Sequence, residues 1–185
     1  MRIRKALRAD QEFTSRFLAV LGKGLVIAAQ SRLGQPDFFV MAARFIREYI
    51  EPGYFRKEGL LLDSLEAFGF APDQGPIGNM RAAHRKSQEI SKLLSGAAHE
   101  WEGGDPSSRA DAIWATSEFT TLMHQHVALL NNLIYPLLEQ SLSLEEEQEL
   151  AEKVNALGSA EAYPAAYDEF RRLIETMEDE VGDWR

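Results

Sequence analysis

Apolar positions recur at helical spacing along almost the whole chain. Phe13, Phe17, Leu21 and Ile27 stand near that spacing, and with Asp10 as N-cap they predict a first helix through about Gln30. Gly34-Gln35-Pro36-Asp37 closes it. A second stripe through Phe38, Met41, Phe45, Tyr54, Glu58, Leu61 and Leu65 predicts a helix to about Phe68. Pro52 lies inside that span and removes a backbone donor, so a kink or bulge is expected a few residues before Tyr54.

The stretch from Gly69 to Gly75 turns the chain, and Pro76 suits the first position of a third helix reaching about Trp101. Gly103-Gly104-Asp105-Pro106 stops it. A fourth helix is expected from Ser107 or Ser108 to about Gln140 despite Pro136. Ser143 followed by Glu146 is a capping box for a short fifth helix. Ser159 and Pro164 introduce a last one bearing Tyr167, Phe170, Leu173, Ile174 and Met177. No strand-like alternation interrupts these segments. The expected fold is therefore all-α, an up-down-up-down four-helix bundle with additional C-terminal helices, in one domain over residues 1–185.

Four inward positions carry candidate chemistry. Residues four apart share a helix face, so Tyr54 and Glu58 point the same way. His84 shares its face with Ile77 and Met80, and His126 shares its own with Met123 and Leu130. Two residues correspond to about 200° around a helix, so His124 and His126 cannot both face inward. His126 is assigned inside, and His124 and His99 outside. Trp101, Trp114 and the methionines are assigned to packing. Glu58, His84 and His126 then form a two-histidine, one-carboxylate set of the kind that holds a single iron or zinc ion, with Tyr54 as a fourth oxygen donor. The alternative is a metal-free polar core in which Glu58 hydrogen-bonds a histidine.

Several segments also carry a specific pattern: Tyr54-Phe55-Arg56-Lys57-Glu58-Gly59-Leu60-Leu61-Leu62, Gly75-Pro76-Ile77-Gly78-Asn79-Met80 with His84 beyond it, and His126 through Tyr135-Pro136. Ser143-Leu144-Glu145-Glu146-Glu147-Gln148 follows. Together they resemble the hemerythrin-like HHE cation-binding family over about residues 38 to 157, leaving 158–185 as an extra C-terminal helix. The resemblance implies a helical bundle around a di-iron centre, with Glu58, His84 and His126 on ligand positions. It also exposes departures. Tyr54 stands where the family has an inward histidine, Leu130 where it has a glutamate and Asn131 where it has an aspartate. On the first helix only Leu21, Gly22, Lys23 and Gly24 stand where another histidine is expected. A reduced site with at most one iron or zinc ion follows, with an apolar half nearest Leu21 and Leu130.

Composition trims the field. A formal net charge of −9 argues against nucleic acid, and Arg2, Arg4, Lys5 and Arg8 read as a solvated terminus. No apolar stretch approaches the length of a membrane span, Ala9-Asp10-Gln11-Glu12 interrupts any signal-like run, and the absence of cysteine suits the cytoplasm. Three classes remain. One is a metal-binding or sensing module, reading a metal ion or a small molecule such as dioxygen. Another is a metal-free structural or interaction protein. The third is a mononuclear iron enzyme, the weakest because no substrate-positioning group can be recognised. The last helix either covers the bundle or makes a homodimer contact.

Overall fold

The computed structural model describes residues 1–158 and 164–184, and they form six helical runs without a strand among them. The first run, α1 (Arg2–Gln30), begins a full two turns before Asp10. Ile3 and Leu7 extend the apolar stripe upstream and are buried, so the N-terminal residues have a core face to hold them in helix. Arg2, Lys5 and Arg8 of the basic start are exposed, as expected of a solvated terminus, but on a helix held to the core. Arg4 bonds Glu139 and lies 4.6 Å from the centre of the Tyr135 ring.

Asp10 is not an N-cap. It is buried in mid-helix, where its Oδ2 accepts from Lys57 Nζ at 2.7 Å and its Oδ1 from the Tyr49 and Tyr167 hydroxyls at 2.8 and 2.5 Å. A buried carboxylate is tolerable when its lone pairs are filled in this way. The cluster ties α1 to the second run and to the last helix.

The second run joins α2 (Pro36–Phe45), a π-helical segment (Ile46–Tyr54) and α3 (Phe55–Ala67). Pro52 sits inside the π segment, which meets the expectation of a bulge before Tyr54. The fourth expected helix holds a second, unanticipated π segment: α5 (Ser108–Leu129), then Leu130–Ile134, then α6 (Tyr135–Ser141). Here Pro136 follows within two residues, so the same cause operates: the missing N–H and the bulk of the ring favour a widened turn.

Between these runs lies α4 (Gly75–Glu102), packed along α5 and against α2. Its Gly-Pro-Ile-Gly start has a steric reason. A Cβ on Gly78 would come within 2.4 Å of the Asp73 backbone, so the returning loop can lie on the first turn only if that residue is glycine. The capping box opens α7 (Leu144–Ala156), with Ser143 and Glu146 each bonding the other's backbone. The last helix, α8 (Pro164–Asp183), buries Leu173, Ile174 and Met177 against the core, while Ser159 lies outside the described residues. Trp114 departs from expectation, being 53% exposed and not packed inside. Among the described residues no helix is long and apolar enough to cross a membrane.

The register of α1 against the second run locates the site. A Cβ on Gly24 would strike the Phe38 ring, Phe17 stacks on Phe45 at 4.1 Å, and Asp10 reaches Lys57. The two runs are thus antiparallel, and moving back along α1 approaches Glu58.

Candidate metal centre

Three helices meet at one carboxylate. Glu58, four residues after Tyr54 on α3, is fully buried. From α4, His84 Nε2 donates to Glu58 Oε2 at 2.9 Å, and from α5, His126 Nε2 donates to the same oxygen at 2.8 Å. The two imidazoles lie 5.2 Å apart between ring centres, with the Phe55 ring stacked on His84 at 4.1 Å and tilted against His126 at 5.3 Å. His126 is wholly enclosed, whereas 16% of the His84 side chain remains exposed. His99 and His124 lie at the surface, as their helical phase requires.

The electrostatics follow from that enclosure. Burial works to raise the Glu58 pKa, but His126 and then His84 outweigh it and hold the carboxyl down at about 2. Burial, and next the Glu58 charge, push the Tyr54 phenol well up, with the Gln11 side chain opposing. Tyr135 moves the same way for the same two reasons, with Arg4 opposing. Both phenols therefore remain protonated near neutrality in the absence of a metal.

The donor set fits one small cation. One ligand atom each from Glu58, His84 and His126 lie within 4.8 Å of one another. Metal–donor lengths near 2.0–2.2 Å place ligands up to about 4.4 Å apart, so shifts of a few tenths of an ångström suffice. Glu58 Oε1 and the Tyr54 hydroxyl are buried and make no well-aligned hydrogen bond among the described residues, although the phenol lies near enough to Glu58 and Gln11 for both to act on it. One feature of many metal-bound histidines is missing among the described residues: His126 Nδ1 has no acceptor there.

Two expectations about the neighbourhood need correction. Leu21 is not level with the site, because the antiparallel register brings Gln11 there, about 15 Å away along the helix. Nor is the flank beyond Glu58 purely apolar. Leu130 is buried as expected, but Gln11 Nε2 and the Tyr135 hydroxyl are also buried there, and the charge of Glu58 acts on both tyrosines. Gln11, Phe55 and Tyr135 are thus site residues that spacing alone does not single out. For Tyr135 a signal existed in the following Pro136, which prepares a π segment one turn after His126. π segments often occur where a helix must re-aim side chains at a functional site.

No family model, curated protein or solved structure matches this chain.

Proposed function

We propose that this protein is a hemerythrin-like metal-binding or sensing module whose reduced site takes one iron or zinc ion at Glu58, His84 and His126, with Tyr54 as a neighbouring oxygen donor. The reading includes the finer architecture, an up-down-up-down four-helix bundle with additional C-terminal helices. Its main support is the convergence of two imidazoles from different helices on one fully buried carboxylate.

An iron or zinc ion bound there supplies Lewis acidity, and iron adds one-electron chemistry toward a small molecule such as dioxygen. The chain's own contribution can be derived more closely. In the hydrogen-bonded arrangement each Nε2 carries a proton, and those protons must leave before the nitrogen lone pairs can bind a cation. Uptake therefore releases or relocates protons and weakens on acidification. It also exchanges two flexible hydrogen bonds for ligation tying α3, α4 and α5 together, which gives a sensor its readout. The missing carboxylate at Leu130 and missing histidine on α1 limit the protein to one well-ligated ion.

The same hydrogen bonds support a second reading, a metal-free structural protein, because they already satisfy both Nε2 atoms and Glu58 Oε2. Elemental analysis of protein purified without chelators or a nickel column separates the two. Close to one ion per chain supports the module, and negligible metal supports the structural protein.

A further inference from the structure

We propose that the groove between α4 and α5 binds a medium-chain amphiphilic carboxylate, with Lys86 as the partner of its head group and the His126 ring in its floor. Two helical stripes build the groove, which has a volume of about 420 Å³. On α4, Ala82 and Ala83 keep the wall low between Asn79 at one end and Lys86 at the other. On α5, half-buried Leu122 and Leu129 face them, with His126 between and below. The seven-residue span from Asn79 to Lys86 corresponds to about 10 Å along the helix, the length of a medium alkyl chain.

The chemistry selects the ligand. The lining carries one cation and no acid, in a chain whose formal charge is −9, so an anionic head meets an ammonium here with no carboxylate in the lining to oppose it. Lys86 approaches Glu89 only at 3.6 Å, and both side chains are more than half exposed, so the ammonium is available to a ligand. Asn79 and Gln125 add amide donors at the rim. The leucines and alanines give an alkyl chain an apolar bed. A second observation marks the floor: His126, which lines the groove, is 1% exposed and its Nδ1 has no partner among the described residues.

The test uses the full chain in its metal-free form, so that it does not depend on the metal reading. Octanoate, titrated below its micellar range, is expected to give saturable amide shifts at Ala82, Ala83, Leu122 and Leu129 in heteronuclear NMR, with the His126 ring resonances moving in step. Lys86→Ala should weaken binding at least fivefold, and octanol should bind correspondingly less well than octanoate. Ala83→Trp should fill the groove and abolish the response, with spectral dispersion checking that the variant folds. Lys153→Ala, in a different surface groove, should change nothing. Absence of saturable shifts, shifts centred elsewhere, equal binding of octanol, or affinity unchanged by both Lys86→Ala and Ala83→Trp would overturn the proposal.

Discussion

Replacing His126 by alanine in metal-free protein should destabilise the fold by about 3–5 kcal/mol, because it strands a buried charge. The magnitude follows from the enclosure. Glu58 and His126 are both essentially inaccessible, and Glu58 Oε2 has only the two imidazoles as partners. Removing one leaves a carboxylate that must either stay charged with half its support or take up a proton. His84→Ala should cost less, about 1–2 kcal/mol, because that side chain is 16% exposed and water can replace it. Equilibrium urea unfolding in the presence of chelator measures both. The double variant Glu58→Leu with His126→Ala should recover part of the loss, since no charge is then left unpaired. A His126→Ala loss below about 1 kcal/mol, or equal losses at the two histidines, would refute the electrostatic account.

The Glu58 carboxyl gives a pH signature. Its folded pKa of about 2 lies below the ordinary 4.5, so its contribution is present above the ordinary value and is lost as pH falls through the folded one. Stability of the metal-free protein should drop by about 3 kcal/mol across that window, and Glu58→Gln should flatten this part of the profile. At the Asp10–Lys57 pair, Lys57→Met alone should cost about 3–5 kcal/mol in urea unfolding. Asp10→Asn combined with Lys57→Met should cost clearly less than the single change.

What the sequence made legible was local. The inward phase of Glu58, His84 and His126 follows from spacing on single helices, as do the capping box at Ser143 and the disturbance at Pro52. What it hid depends on distance along the chain. Asp10 has the chemistry of a cap, and only Lys57, 47 positions away, reveals that it is a buried ion-pair partner. The same long-range register decides that Gln11 and not Leu21 stands beside the site, since no local rule sets how far α1 slides along α3. Trp114 misled for a simpler reason: its size suggests burial, yet 53% of it stays exposed on α5.

If Glu58, His84 and His126 converge to hold one ion, as proposed, elemental analysis of the wild-type chain beside His126→Ala and His124→Ala should find close to one iron or zinc per wild-type chain. Loss should be near-complete in His126→Ala, with no change in His124→Ala. Negligible metal in the wild-type chain, or two irons per chain with the absorption of an oxo-bridged pair, would contradict it.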